Sequence, residues 1–94
     1  MYGTVARMRV KPGAEAKFAE LSRQYEALNI PGFRATYVYR MDNDPTMFMM
    51  AVVFDDKTSY VANANSPDQN VRYQEMVELL EGAPEWHDGE IVFP

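Results

Sequence analysis

The sequence predicts an α+β domain with the element order β-α-β-β-α-β, a ferredoxin-like arrangement around a four-stranded antiparallel sheet. Three observations predict it. Segments rich in β-branched and aromatic residues bracket two regions whose apolar residues recur every three or four positions. Pro-Gly pairs and Asp/Asn clusters mark the boundaries between them. The chain has 94 residues, 47% of them apolar, and no cysteine. A single domain over residues 1–94 must therefore be held by apolar burial alone.

Residues 2–10 read as the first strand, with Met8 and Val10 on one parity and Arg7 and Arg9 on the other. Lys11-Pro12-Gly13 ends it. Over residues 14–30 the period changes. Ala14, Phe18, Leu21, Tyr25 and Leu28 fall on one helical face, and Pro31-Gly32 stops the helix. Residues 33–41 alternate again: Phe33, Ala35, Tyr37, Tyr39 and Met41 share one side. A short turn at Asp42-Asn43-Asp44-Pro45 leads into the third strand, residues 47–54, so these two strands form a hairpin. Asp55 or Asp56 caps a short helix to about Ala64. Ser66-Pro67-Asp68-Gln69 has the signature of a capping box with Pro at the first helical position. The helix it opens carries Tyr73, Met76, Val77 and Leu80 on its apolar face and closes at Gly82. Residues 85–93 read as the last strand.

The third strand is apolar on both faces. Met47, Met49, Ala51 and Val53 lie on one parity; Phe48, Met50, Val52 and Phe54 lie on the other. Two helical regions cover only one face of a sheet. The second face would be an apolar patch larger than a monomer tolerates. A homodimer that packs two sheets face to face is the simplest solution; the other is that residues 55–66 or the C-terminus fold over that face.

The net charge is −5, which opposes binding to nucleic acid. It is unevenly spread: seven of the nine basic residues lie in residues 1–40 and eleven of the fourteen acidic ones in residues 41–94. Either the two halves neutralise each other side by side, or Arg7, Arg9, Arg34 and Arg40 form a patch for an anionic ligand. No apolar run is long enough to span a membrane and the N-terminus has no apolar targeting segment, so a cytoplasmic protein is expected. One histidine and no cysteine exclude a cysteine-ligated or multi-histidine metal site within a chain, and no metal is expected. The common nucleophile, phosphate-loop and zinc motifs are absent.

The residues left to carry chemistry are few. His87, in Glu85-Trp86-His87-Asp88, either takes a proton from an acidic substrate or is an exposed, hydrogen-bonded strand residue. In a strand it shares a face with Glu85 and Gly89, and Trp86 faces the other way with Asp88 and Glu90. Tyr37 and Tyr39 on the second strand, with Tyr60, Asn63 and Tyr73 on the second helical region, supply phenol and amide groups on apolar walls. Such walls either orient a flat, partly polar ligand or are plain core with hydroxyls reaching water.

Three segments carry a family resemblance: Arg7-Met8-Arg9-Val10-Lys11-Pro12-Gly13, Ala62-Asn63-Ala64-Asn65-Ser66-Pro67, and Leu79-Leu80-Glu81-Gly82-Ala83-Pro84-Glu85-Trp86-His87-Asp88-Gly89-Glu90-Ile91-Val92. With the element order and the apolar third strand, they resemble the antibiotic biosynthesis monooxygenase family over nearly the whole chain. The resemblance implies a dimeric α+β barrel. In some members it implies cofactor-free oxidation of polycyclic phenols to quinones, in which the deprotonated substrate itself supplies electrons to O₂. Asn63 and Tyr73 are the positional candidates it implies; His87, and the ligand-binding set Tyr37, Tyr39, Tyr60 and Trp86, are added on chemical grounds. Other relatives degrade haem with an Asn-Trp-His set. Here the corresponding helix positions hold Asn63 and Tyr73, so no cofactor is expected and haem ranks behind that. The leading expectation is a cofactor-independent monooxygenase acting on a small aromatic, phenolic substrate; the alternative is a non-enzymatic dimeric module that binds a small ligand or a partner.

Overall fold

The computed structural model describes residues 1–94. Its elements are β1 (Tyr2–Arg9), α1 (Glu15–Glu26), β2 (Phe33–Arg40), β3 (Met47–Phe54), α2 (Lys57–Ala64), α3 (Pro67–Val77) and β4 (Glu85–Glu90). The four strands form one antiparallel sheet in the order β2-β3-β1-β4. This is the predicted ferredoxin-like fold, with the second helical region broken in two as expected.

Side-chain alternation decides which residues meet the helices. Thr4, Ala6 and Met8 of β1 are buried on the helical side, as are Phe48, Met50 and Phe54 of β3. The register places Thr4 opposite Asp88 and Ala6 opposite Trp86, so Trp86 and Asp88 also face the helices. Odd-numbered residues face the other way. Val5, Tyr37 and Tyr39 there are 50%, 59% and 58% exposed; Ala51 is the cross-strand partner of Val5 and Tyr37, and Met49 that of Tyr39. Residues 55–66 do not cover this face, because α2 lies on the opposite side of the sheet, with Tyr60 against Phe54. Nor do Val92 and Phe93, which are exposed.

The core is small and sits at one end. Ala6, Met8, Val10, Phe18, Phe48, Met50 and Leu80 form it. Phe18 of α1 meets Phe48 edge-on, with ring centres 5.5 Å apart. Such a contact adds about 1 kcal/mol beyond area burial.

Several boundaries differ from the sequence expectation, each for a local reason. The first helix stops at Glu26, short of residue 30, and Asn29 adopts a left-handed φ of 55°. Asn tolerates that region better than most residues. The third helix stops at Val77, short of Gly82, because its backbone turns to pair with the first strand. Lys11 N–H donates to Leu79 C=O at 2.8 Å, and Glu81 N–H donates to Arg9 C=O at 2.8 Å. That pairing delivers Leu80 to the core opposite Val10. Ser66 stands at the N-cap of α3 but its hydroxyl makes no capping bond, and Gln69 instead accepts from Arg72 Nε at 3.1 Å. Asp56 does cap α2, accepting from Ser59 N–H at 2.8 Å. A bulge between Phe33 and Ala35 turns Phe33 to the helical side, away from Tyr37 and Tyr39. The last strand ends at Glu90.

Candidate functional site

The two later helices have no buried residue. They wall a space rather than fill it. A cavity of about 680 Å³ lies between the sheet and all three helices, bordering the core at Phe18 and Met50. Its floor is Thr4, Thr36, Val52, Phe54, Trp86 and Asp88. Leu21 and Tyr25 of α1, with Leu28 just beyond its end, lie on the predicted helical face and form one wall. Short side chains on the floor at Thr4, Thr36 and Val52 leave the room that the aromatic walls enclose.

A continuous run of rings borders one flank, of which Tyr25, Phe54 and Tyr60 line the cavity itself. Tyr2 and Tyr60 are 5.3 Å apart between centres, Tyr60 and Phe54 5.5 Å, Phe54 and Phe33 5.7 Å, and Phe33 and Tyr25 5.2 Å. On the far side Tyr73 and Trp86 approach at 6.3 Å, inclined by 44°. Flat apolar surfaces of this kind suit a planar ligand.

Polar groups break the apolar lining at set points. Asn63 Nδ2 donates to the Tyr25 phenol oxygen at 3.0 Å, joining α2 to α1. The Tyr25 O–H is thereby left free to donate elsewhere. Tyr60 O–H donates to Asp88 Oδ1 at 2.9 Å. The buried hydroxyls of Thr4 and Thr36 make no well-aligned hydrogen bond. Burial raises the Tyr25 pKa above its ordinary value, opposed by the Asn63 hydrogen bond and the Arg72 charge. Burial, then the hydrogen bond to Asp88, pushes Tyr60 up to about 12. Both phenols are therefore neutral donors at physiological pH.

The fold has known relatives. The family model for antibiotic biosynthesis monooxygenase matches residues 1–79.

The chain belongs to the antibiotic biosynthesis monooxygenase family.

Solved structures agree at the level of fold. SnoaB, a cofactor-independent oxygenase from Streptomyces nogalater crystallised as an asparagine-to-alanine variant, superposes with a TM-score of 0.84 at 18% identity, covering 99% of this chain and 94% of that one. A conserved protein from Methanosarcina mazei Go1 gives 0.79 at 22% identity, over 94% and 89%. A protein of unknown function from Nitrosomonas europaea gives 0.76 at 21% identity, over 99% and 90%. No curated protein matches the chain in sequence.

Within this member of the family, four of the seven candidate residues meet in the cavity: Tyr60, Asn63, Tyr73 and Trp86. The other three do not. Tyr37 and Tyr39 lie on the open face of the sheet, as their register with Ala51 and Met49 requires. His87 lies there too, with Nε2 2.9 Å from Glu85 Oε1. That is the hydrogen-bonded strand histidine of the plainer sequence reading. The arginine patch is not assembled: Arg7 pairs with Glu85, Arg9 with Asp44 and Arg34 with Asp55. The basic and acidic halves neutralise each other at these points.

Tyr25, Arg72, Asp88 and Thr36 are among the cavity residues that the sequence does not single out as functional. Tyr25 was hidden by its helical spacing, which is that of a core residue. Asp88 had one available signal, its parity with Trp86. Nothing in the sequence marks Thr36 or Arg72. No group of histidine, cysteine or carboxylate side chains is arranged to hold a metal, and no helix is long and apolar enough to cross a membrane.

Proposed function

We propose that this family member is a cofactor-independent monooxygenase that oxidises a small phenolic, polycyclic substrate in the cavity between sheet and helices. The observation that carries this reading is the cavity itself: aromatic walls, with neutral phenol donors and two carboxylates, Glu75 on α3 and Asp88 on the sheet, placed at its edges. SnoaB, described as a cofactor-independent oxygenase, shares the fold and supports the reaction class.

The chemistry asks little of the protein beyond position and proton transfer. For an anthrone-like substrate, Asp88 takes the acidic proton, and the Tyr25–Asn63 pair holds the oxygen on which charge gathers. The carbanion passes electrons to O₂. One oxygen atom becomes the new quinone carbonyl and the other leaves as water, so the CH₂ carbon loses four electrons and O₂ gains four. Tyr73 and Trp86 clamp the ring plane from the side.

The same reading makes the working unit a homodimer, with a second copy on the open face. Support comes from the apolar run of Val5, Met49, Ala51 and Val53, flanked by exposed Tyr37 and Tyr39. Light scattering should give twice the 10.8 kDa chain mass; a monomer at micromolar concentration removes this part of the proposal.

The test of activity is O₂ uptake with a panel of anthrones and quinols, in chelator and without flavin. Uptake above the buffer rate, with a quinone product, is expected. Binding without turnover across the panel would leave a ligand-binding module instead of an enzyme.

A further inference from the structure

Arg72 is the cavity's one cationic side chain. The protein's ion pairs engage Arg7, Arg9, Arg23 and Arg34, and the single histidine. Arg72 joins none of them, although Glu75 lies three residues on along the same helix. Its guanidinium carbon sits 5.7 Å from the centre of the Tyr25 ring, and its Nε donates to Gln69 Oε1 at 3.1 Å. No side chain accepts from its two terminal nitrogens.

Arg72 is half-buried here, so its unpaired cation gives up part of its hydration. Stacking on a phenol ring offsets part of the lost hydration, and the flat guanidinium is suited to that. The Gln69 contact fixes the fork in one plane. A planar fork with both terminal nitrogens free matches a carboxylate in two-point contact. The chain as a whole is acidic, at −5, so general attraction does not draw anions here. A local cation in an apolar cavity is selective for where the negative charge sits.

We infer that Arg72, steadied by Gln69 and Tyr25, is the anion-reading residue of the cavity, and that the occupant is a flat apolar acid whose carboxylate lies against α3. This rests on the cavity being the ligand site and adds the charge of the ligand and its orientation. The carboxylate is held at the Arg72 wall while Asp88 stands on the sheet floor. A carboxylate bound at Arg72 is thereby kept from Asp88, and of the cavity's two carboxylates only Glu75 shares its helix, without pairing with Arg72; this fixes which end of the molecule meets the base.

The probes are 2-naphthoate and its neutral counterpart 2-naphthamide, compared by calorimetry at pH 7 with the wild type, Arg72→Gln and Arg72→Lys. The wild type should bind the naphthoate about tenfold more tightly, the usual size of a charge-assisted contact. Arg72→Gln should erase that preference and leave naphthamide binding within about twofold. Arg72→Lys should keep part of it. As a measurement that needs no variant, the Arg72 Nε–H resonance of the wild type should move with naphthoate and not with naphthamide. Equal binding of the two probes to the wild type overturns the inference and leaves the cavity as ligand site. A naphthoate preference that survives Arg72→Gln also overturns it, since the anion is then held elsewhere. If neither probe binds, both the inference and the cavity reading beneath it fail.

Discussion

The Asn63 amide donates to the Tyr25 phenol at 3.0 Å, and this bond spans the cavity wall from α2 to α1. It is half-buried and has two consequences. It ties together helices that share few other contacts, and it leaves the phenol proton free to donate to a ligand oxygen. Asn63→Ala and Tyr25→Phe should each lower stability by about 1 kcal/mol, with a coupling of similar size in the double variant. Urea denaturation of the four proteins checks this. If the pair also holds the developing oxyanion, each variant should lower kcat by about 10- to 100-fold on an active anthrone. Loss of stability with full turnover would confine the pair to a structural role.

Tyr60 and Asp88 supply a pH prediction. Burial and the neighbouring carboxylate both favour the neutral phenol, moving its pKa from 10.0 to about 12. A folded pKa above the unfolded value means that stability is full below pH 10 and falls as pH rises toward 12. Ultraviolet titration of the six tyrosines should show Tyr60 among the last to ionise. Asp88→Asn should bring it forward, though not to the ordinary value, because burial is the larger cause. An unchanged titration in Asp88→Asn would remove Asp88 from this account.

Asp44 behaves in the opposite sense. Hydrogen bonds from Thr46, then from Arg9, hold its pKa down at about 2 from 3.8. The contacts are a Thr46 hydroxyl at 2.7 Å and an Arg9 terminal nitrogen at 2.7 Å. A depressed carboxylate contributes stability above pH 3.8 that is lost as pH falls through about 2. The site is exposed, so the effect on stability is small. Carboxyl-carbon NMR should show Asp44 titrating below the other aspartates, and Thr46→Val should raise it more than Arg9→Gln does.

Gly3 marks a place where the backbone allows no side chain. A Cβ there would overlap the Val52 carbonyl in the β1–β3 ladder. Gly3→Ala should destabilise the fold by about 3 kcal/mol, the upper range for forced overpacking. Gly13→Ala meets no neighbouring atom and strains only its φ of 84°, so it should cost about 1 kcal/mol. Thermal melts of the two variants should rank them in that order.

Much of the fold was legible because it rests on parity and period. The alternation in β1 and β2, and the doubly apolar β3, place the sheet and its two faces without any long-range information. The failures share a cause, which is tertiary competition for backbone groups. Leu80 continues the helical spacing of α3, yet its neighbours leave the helix to pair with β1. Phe33 keeps the parity of Tyr37, yet a bulge reverses it. The cavity was legible only in part. Helical spacing puts Phe18, Leu21, Tyr25 and Leu28 on one face but cannot tell packed core from cavity wall. That depends on how far α2 and α3 stand from the sheet, a distance no local pattern encodes.

His87 and Asn63 make the sharpest contrast. Both are candidate catalytic residues from the sequence, His87 on chemical grounds and Asn63 by the family resemblance. The sheet separates them: Asn63 lines the cavity, whereas His87 points from the opposite face and contacts Glu85. His87→Asn should leave kcat within about twofold on any substrate that is turned over, and Asn63→Ala should not. The rate profile from pH 5 to 8 should likewise lack an inflection that His87→Asn removes, since no imidazole reaches the cavity. Both variants should be assayed at the same oligomeric state, because His87 shares its face with the exposed apolar strand residues. A fall of tenfold or more in His87→Asn, with the assembly unchanged, would move the chemistry to the open face of the sheet.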